Sequence, residues 1–259
     1  MTLTPRENSR LGRQQEITKE GNEKAKKFYG QAIADDPDYM PAHAELSYVY
    51  VREAQCGWGP SRPASLAKAR EHADIAVTLA TDPGSAWFDD FRARWYNAIV
   101  YWNEGEFTRS FDEFAAARKQ ITDPARIDKD TADLDADMAE ALVYHGEPHR
   151  AVALIEDAMG RHSREWYFWN YARALHMARR YRDAIAAIER MENPPNDVRL
   201  IVAASQVRLG DQAAGEATMK AFSALEPDWT VAKSAEYPYG SASDRKHWTE
   251  GLKAAGLKP

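Results

Sequence analysis

The feature that most constrains how this chain can fold is a repeated unit of helix, turn and helix. Four stretches align when the sequence is compared with itself, and in each an alanine stands seven positions before the turn residue. The alanines are Ala98, Ala139, Ala172 and Ala203, and the turn residues are Gly105, Gly146, Arg179 and Gly210. The turns are spaced 41, 33 and 31 residues apart. Since one helix pair cannot bury its own apolar face, units of this size must stack on one another.

The second helices of these units carry small and large residues at set distances from the turn. They include Phe114 and Ala117, Ala151 and Ala158, Ala184 and Ile188, and Met219 and Phe222. Small residues let two helices approach closely, and large ones fill the space toward the next pair. The pattern resembles the tetratricopeptide repeat, whose period is about 34 residues. This resemblance implies an all-α fold, a right-handed superhelical solenoid in which the first helix of each pair lines a concave groove.

Two further units precede these four. Residues 24–37 match the second half of a repeat, and residues 42–79 match a whole repeat interrupted by a Gly- and Pro-rich insertion at 55–63, which we expect to be a loop. The sequence therefore predicts about six helix pairs in a single domain, residues 1–259. Residues 228–259 are expected to form a C-terminal extension with a capping helix, because terminal repeats must cap the stack.

The C-terminal part also resembles a narrower group of proteins. Residues 226–229, 237–239, 244–245 and 251–257 are similar to the tail of repeat regions attached to bacterial adenylate/guanylate cyclase-type proteins. No segment alternates strands with helices in the way that the cyclase catalytic domain would require. The resemblance therefore implies a regulatory or scaffolding module in a signalling setting.

Composition excludes several classes of protein. The net charge is −6 with both signs scattered, whereas a nucleic-acid binder would show a basic stripe or domain. Cys56 is the only cysteine, so neither an intrachain disulfide nor a cysteine zinc site is expected. The N-terminal residues lack the apolar stretch of a secretory signal, and no apolar run approaches the roughly 18 residues of a membrane span. We therefore expect a cytoplasmic protein that binds neither membrane nor nucleic acid.

The repeat register places one set of side chains on the groove face of the first helices. These are Tyr48, Arg52, Arg92, Trp95, Ile99, Trp102, Asn103, Glu140, Val143, Tyr144, Trp166, Trp169, Arg173, His176 and Arg208. Four of the eight tryptophans belong to this set, and tryptophan and arginine are enriched at binding hot spots. The alternative is that the aromatic residues pack between repeats as core. The groove is favoured because the core positions of the register are already filled, by Leu46, Met138, Tyr171 and Val202.

The segment Trp166–Tyr171 has aromatic residues on more than one side of its helix. Trp166 and Trp169 are three residues apart and share a face, which Arg173 and His176 continue. This combination predicts a ligand that carries an anionic or carboxylate group and stacks on indole. Repeat proteins of this kind can clamp a peptide C-terminus with a particular set of Lys and Asn residues. That set is not matched here, so binding of a chaperone tail is not expected.

Several motifs that could carry chemistry are better explained structurally. His145 to His149 resembles a metalloprotease motif, but Gly146 and Pro148 place it in a turn rather than on one helix. The acidic run from Asp128 to Glu140 lacks the glycine of a calcium loop and is expected to be the solvated start of a helix. No Gly-rich phosphate loop or nucleophile elbow is present, and Cys56 has little nearby positive charge to activate it. We therefore expect no catalytic residue, metal or cofactor.

Three functions remain open. The first is a binding module whose groove receives a protein or peptide segment. The second is a small-molecule binder or enzyme, which would need a closed pocket with His176, Glu140 or Tyr144 within hydrogen-bonding reach of one another. The third is self-assembly into a homodimer through the final helix around Trp248 and Leu252, unless that helix caps the solenoid.

Overall fold

The computed structural model describes residues 3–259, in which it contains fourteen α-helices and no strand. The chain divides into two compact units, Met1–Thr122 and Asp123–Pro259. The helices of unit 1 are α1 (Pro5–Arg13), α2 (Lys19–Asp35), α3 (Met40–Cys56), α4 (Arg62–Thr81), α5 (Phe91–Asn103) and α6 (Phe107–Gln120). Those of unit 2 are α7 (Ile127–His145), α8 (Pro148–Arg161), α9 (Tyr167–Met177), α10 (Tyr181–Ile188), α11 (Val198–Arg208), α12 (Gln212–Leu225), α13 (Val231–Ala235) and α14 (Ala242–Ala254).

In each unit, consecutive helices pack as pairs. Unit 1 contains the pairs α1/α2, α3/α4 and α5/α6, and unit 2 contains α7/α8, α9/α10 and α11/α12. Within each unit, the first helix of a pair also contacts both helices of the pair before it: α5 packs on α3 and α4, and α9 packs on α7 and α8. The six predicted helix pairs are therefore present, three in each unit. The first pair is completed by α1, which the sequence analysis did not identify.

The four turns that define the repeat share one backbone geometry. The turn residues have positive φ values of 86° at Gly105, 101° at Gly146, 65° at Arg179 and 89° at Gly210. In each turn, the next residue donates its N–H to the carbonyl five positions earlier, at 2.8–3.0 Å: Glu106 to Tyr101, Glu147 to Leu142, Arg180 to Leu175, and Asp211 to Gln206. This is the Schellman arrangement that ends a helix with a left-handed residue. Glycine adopts it without strain, and Arg179 adopts it despite its side chain.

Close helix contact depends on small residues on both sides of each turn. The alanines seven positions before the turn are completely buried. Five positions after the turn the residue is also small and buried, namely Ser110, Ala151, Ala184 or Gly215. A Cβ at Gly215 would lie 2.4 Å from a Val207 methyl group and 3.0 Å from the Ala203 carbonyl oxygen. The second-helix residues named from the sequence are buried as well, so the repeat pattern does mark the interior of each pair.

Unit 1 is also held together by a buried polar contact. Glu53 on α3 is 4% exposed; its carboxylate accepts a 2.6 Å hydrogen bond from Ser65 Oγ on α4 and pairs with Lys26 on α2. At the start of this unit, Gly12 lies directly on the buried Tyr29 ring, where a Cβ would come within 2.6 Å of Cζ. Glycine at this point therefore lets α1 approach α2.

The inserted loop is shorter than the expected residues 55–63. Helix α3 continues through Cys56 and ends at Gly57, which has a φ of 63°. Helix α4 begins at Arg62, where the Ser61 side chain accepts a hydrogen bond from the Ala64 N–H and Pro63 occupies the first turn. Only residues 57–61 lie between the two helices.

The C-terminal extension packs on unit 2. Helix α14 contacts α11, and α13 contacts α14. Trp248 and Leu252 on α14 are almost completely buried within the chain. The predicted capping helix is therefore present, and the apolar side chains suggested for a homodimer contact are already covered by unit 2.

Candidate functional site

In unit 1, aromatic side chains of α3 and α5 form a continuous stack. The ring centroids of Tyr48 and Tyr96 are 5.6 Å apart, and those of Tyr96 and Trp95 are 5.6 Å apart with planes within 8° of parallel. Phe91 extends the stack at 6.2 Å from Trp95. All four rings are half-buried. They form a partly accessible aromatic surface because α3 and α5 lie side by side.

Arginine side chains border this stack. The Arg52 guanidinium carbon lies 5.0 Å from the centroid of the Tyr48 ring, within the range of a cation–π contact. Arg52 makes no hydrogen bond or ion pair with any residue between 3 and 259. Arg92 is paired with Asp90, whose carboxylate raises the pKa of Arg92. We call Tyr48, Arg52, Arg92, Trp95 and Tyr96 the α3–α5 surface.

A buried carboxylate lies close to this surface. Glu45 is 9% exposed, and its carboxylate is 3.3 Å from Arg13 Nη1. Burial raises the pKa of Glu45, and the positive charges of Arg13 and Arg92 partly oppose that rise. Arg13 and Arg92 thus have carboxylate partners, and Arg52 is the arginine of this group that has none.

Trp102 and Asn103, also predicted for the groove, are buried in unit 1. Trp102 is 1% exposed and belongs to the core. The Asn103 carbonyl oxygen accepts a 2.9 Å hydrogen bond from Arg62 Nη2, and the Asn103 side-chain amide donates to the Ile99 carbonyl at 2.9 Å. Asn103 therefore fastens the start of α4 to the end of α5, and neither residue presents a surface to a partner in this conformation.

In unit 2, the two groove tryptophans occupy different surroundings. Trp166 is half-buried, and its ring meets that of Tyr167 edge-on at 4.5 Å beside the alanines of the α7/α8 pair. Trp169 is half-buried, and its buried indole N–H has no hydrogen-bond partner in the described part of the chain. Glu140 is half-buried and Arg208 is exposed.

The remaining groove residues of unit 2 lie beneath the C-terminal part of the chain. Tyr144 stacks on Tyr237 at 5.5 Å and meets Tyr239 at 4.9 Å. The Arg173 guanidinium carbon lies 5.8 Å from the ring centroids of Tyr144 and Tyr237, and 5.9 Å from that of Trp248. Tyr144 and Arg173 are 0% and 5% exposed, so the chain itself closes this part of the predicted groove.

The charge of Arg173 is only loosely compensated. Its Nε is 3.6 Å from Glu140 Oε1, and its Nη2 is 3.8 Å from Asp197 Oδ2. Both distances exceed that of a good hydrogen bond. Loss of solvent raises the pKa of Asp197 to about 7, against the opposing effect of Arg173. Asp197 was not identified from the sequence, because its contact with Arg173 is made across helices and no spacing signals it.

Two histidines lie next to this cluster. His176 Nδ1 is 2.8 Å from Ser205 Oγ, and the His176 ring lies 5.2 Å from that of His247 on α14. Burial lowers the pKa of His176, and the charges of nearby arginines contribute. Burial together with the charges of Arg179 and Arg208 lowers the pKa of His247 to about 4. The neutral forms are therefore favoured near pH 7. Arg208 Nη2 donates a 2.9 Å hydrogen bond to the His247 carbonyl.

Most of the remaining residues that the repeat register assigned to the groove or to the core also differ in burial from that assignment. Ile99 and Val143 are buried. Of the four residues assigned to core positions, Leu46 is buried, whereas Met138, Tyr171 and Val202 are half-buried. Register alone therefore does not separate groove from core in this chain.

The acidic run differs from the solvated helix start expected from the sequence. Asp130, Asp133 and Asp135 are 5%, 7% and 1% exposed. Asp133 pairs with Arg164 at 2.8 Å, and Asp135 pairs with Arg161, while Tyr167 Oη donates a 2.6 Å hydrogen bond to Asp133. These carboxylates are buried because arginines compensate their charge: Arg126 pairs with Asp130, and Arg161 and Arg164, further along the chain, pair with the other two. The run therefore joins α7 to the end of α8 and the start of α9.

Two absences apply to the described part of the chain. No group of three or more His, Cys, Asp or Glu side chains in residues 3–259 is arranged to hold a metal ion. Over the same residues, no helix is both long and apolar enough to cross a bilayer.

Comparison with known proteins identifies the fold. No protein-family model matches the chain, and the search of curated proteins finds no match. Among solved structures, PilF of Pseudomonas aeruginosa is similar with a TM-score of 0.50 at 15% identity, over 87% of this chain and 93% of PilF. The TPR2AB domain of yeast Sti1, solved in a complex with pHSP90, has a TM-score of 0.35 at 14% identity, over 98% of each chain. The similarity to PilF supports an all-helical fold of stacked helix pairs, and the turn geometry and helix pairing within each unit are those of tetratricopeptide-like repeats.

Proposed function

We propose that this protein is a non-catalytic scaffold whose α3–α5 surface binds a peptide segment of a partner protein. The observation that carries the proposal is the stack of half-buried aromatic rings bordered by Arg52, a cation with no carboxylate partner in residues 3–259. Aromatic and arginine side chains provide large contact area and specific polar contacts, and they are enriched at binding hot spots.

The surface favours a particular kind of segment. Stacked aromatic rings leave edges and faces on which an apolar or aromatic side chain can pack. Arg52 offers planar donors suited to a carboxylate, and its position over Tyr48 holds it in place. The expected ligand is therefore a segment with an aromatic or large apolar residue close to an acidic one. The cytoplasmic location expected from the N-terminal residues and hydropathy, and the signalling setting implied by the cyclase-type resemblance, belong to the same proposal.

The small-molecule alternative is supported by one observation in unit 2. Tyr144, Arg173 and Glu140 converge there, with Asp197 close by. His176 Nδ1 is hydrogen-bonded to Ser205 Oγ, so in this conformation that nitrogen is already engaged outside the cluster. A ligand could reach the cluster only after the C-terminal residues had moved, so we place peptide binding by the α3–α5 surface first.

The test is selection of binding peptides followed by affinity measurement. The full-length protein is used to select from a random twelve-residue peptide library, and the selected peptides are measured by fluorescence anisotropy. We expect Trp95→Ala and Arg52→Ala each to weaken binding by about tenfold or more, since a hot-spot residue contributes at least about 1.4 kcal/mol. The matched control is Leu225→Ala, which removes a 63% exposed apolar side chain from unit 2.

The variants must remain folded for this comparison, which circular dichroism checks. Arg52→Ala removes no hydrogen bond or ion pair, so it tests the surface without disturbing the fold. Peptides that bind wild type and both surface variants equally, or failure to select any peptide, would refute the proposal. Selected peptides that lose affinity in Leu225→Ala would move the site to unit 2.

A further inference from the structure

The C-terminal residues 229–257 lie across the first helices of unit 2 in the manner of a bound peptide. Tyr237 and Tyr239 pack on Tyr144 at the end of α7. Further along, the Trp248 ring meets the His176 ring of α9 edge-on at 5.5 Å. We call residues 229–257 the C-terminal segment. It covers the same helical face on which the sequence predicts a groove.

Main-chain contacts anchor the segment where it is not helical. The Gly240 N–H donates a 2.8 Å hydrogen bond to the Tyr144 carbonyl oxygen. A Cβ at Gly240 would lie 3.3 Å from the His145 carbonyl oxygen, so glycine permits this close approach. The arrangement combines aromatic anchors with a backbone hydrogen bond, which is how extended peptides are held on a protein surface.

The polar groups beneath the segment are poorly satisfied. Four buried atoms have no hydrogen-bond partner among residues 3–259: Arg173 Nε, His176 Nε2, His247 Nε2 and Trp248 Nε1. All four belong to the contact between the segment and α9. A buried polar atom without a partner destabilises the state that buries it, whereas water would satisfy these atoms if the segment moved away. Apolar burial holds the segment in place, and the unsatisfied polar atoms oppose it.

We propose that the first-helix face of unit 2 is a second peptide-binding surface, occupied here by the chain's own C-terminal segment. Its external partner is a segment of the form aromatic–Pro–aromatic–Gly, which takes the place of residues 237–240. The two aromatic side chains pack on Tyr144 and next to Arg173, and the glycine lets the backbone reach the Tyr144 carbonyl. The proposal is independent of the α3–α5 surface, because all of its residues lie in unit 2.

The test compares the full chain with a variant in which the segment is weakened. The variant is Tyr237→Ser/Tyr239→Ser, and the probe is a fluorescent peptide with the sequence of residues 237–243. This peptide leaves out Glu236, so it lacks the acidic residue expected in ligands of the α3–α5 surface. We expect the variant to bind this peptide at least tenfold more tightly than wild type does, because the segment no longer competes. A control peptide with serine in place of both tyrosines should bind neither protein, and Glu71→Ala, at an exposed position of unit 1, should leave the affinity unchanged.

Hydrogen exchange shows whether the segment opens without unfolding unit 2. In wild type, amides of residues 229–257 should exchange faster than those of α7, α9 and α11, and in the double variant those three helices should keep their protection. Loss of that protection would show that the segment is an integral part of the core and would overturn the proposal. Equal affinity of the peptide for wild type and the folded variant, or binding to neither, would overturn it as well.

Discussion

Replacing Arg179 with glycine should stabilise unit 2. Arg179 occupies the turn position at which the other three repeats have glycine, and its φ is 65°. The left-handed region costs a residue with a Cβ about 1–2 kcal/mol. Glycine removes this strain, but its greater freedom in the unfolded chain costs about 0.5–1 kcal/mol.

The Arg179→Gly substitution loses no side-chain contact that would offset the relief of backbone strain. Arg179 is exposed, and its side chain makes no hydrogen bond or ion pair within residues 3–259. Its charge lies close enough to His176 and His247 to lower the pKa of both. The difference between strain and entropy therefore predicts a net stabilisation of about 0.5–1 kcal/mol for Arg179→Gly.

The opposite kind of change at another turn, glycine to a residue with a Cβ, serves as a matched control. Gly210 has a φ of 89°, and apart from Gly210 and its chain neighbours no atom of residues 3–259 lies within 4 Å of the position its Cβ would take. Gly210→Ala therefore introduces backbone strain without a clash, and we expect it to destabilise unit 2 by about 0.5–1 kcal/mol. The two variants should thus differ from wild type in opposite directions.

Urea denaturation of the full-length protein, followed by circular dichroism, measures both changes. Hydrogen exchange of the α9 and α11 amides assigns them to unit 2. An Arg179→Gly protein that is no more stable than wild type would refute the reasoning, as would a Gly210→Ala protein of unchanged stability. Either result would mean that the turns do not share the backbone conformation on which the repeat alignment rests.

Three further predictions concern packing, pH and charge. Gly12→Ala should destabilise the protein by about 1–3 kcal/mol, because the new Cβ would lie 2.6 Å from a buried tyrosine ring. Gly30→Ala, which meets open space, should instead stabilise α2 by about 0.5–1 kcal/mol. Equal urea midpoints of the two variants would contradict this prediction. Burial takes the pKa of His72 to about 4, so the unfolded chain binds more protons between pH 6.5 and 4. Stability should therefore be full above about pH 6.5 and fall as the pH drops toward 4, and it should fall less in His72→Gln; identical pH profiles of the two proteins would exclude this histidine as a cause. Glu53→Ala should cost about 1–3 kcal/mol because the buried Ser65 hydroxyl loses its acceptor, whereas Lys26 keeps its ion pair with Glu23. Glu71→Ala, which breaks an exposed ion pair, should cost less than about 1 kcal/mol, and equal losses in thermal denaturation would disprove the distinction.

The sequence was sufficient to predict the helix pairs because their requirements are local. A left-handed turn favours glycine, and close helix contact favours alanine, so Gly146 and Ala139 are visible at a fixed spacing. The substitution at Arg179 was also recognised, since the surrounding pattern continues through it. Helix α1 was missed because its pair contributes only half of the repeat pattern, and its close approach depends on a single glycine at residue 12.

The groove residues could not be sorted in the same way, because their exposure depends on distant parts of the chain. Tyr144 and Arg173 occupy groove positions, but Tyr237 and Trp248 cover them. The same limit applies to the acidic run. Asp133 is buried because of Arg164, a residue that no local pattern connects to it.

The two units therefore show two states of the same kind of surface. In unit 1 the Arg52 guanidinium packs on one ring of its own layer of first helices, that of Tyr48. In unit 2 the Arg173 guanidinium lies close to Tyr144 of its layer and also to Tyr237 and Trp248, which the C-terminal segment supplies. If a peptide bound to the α3–α5 surface acts as the C-terminal segment does in unit 2, it places an aromatic ring against the Arg52 guanidinium. We therefore expect peptides selected on unit 1 to contain an aromatic residue whose replacement by leucine weakens binding to wild type and has a smaller effect on binding to Arg52→Ala.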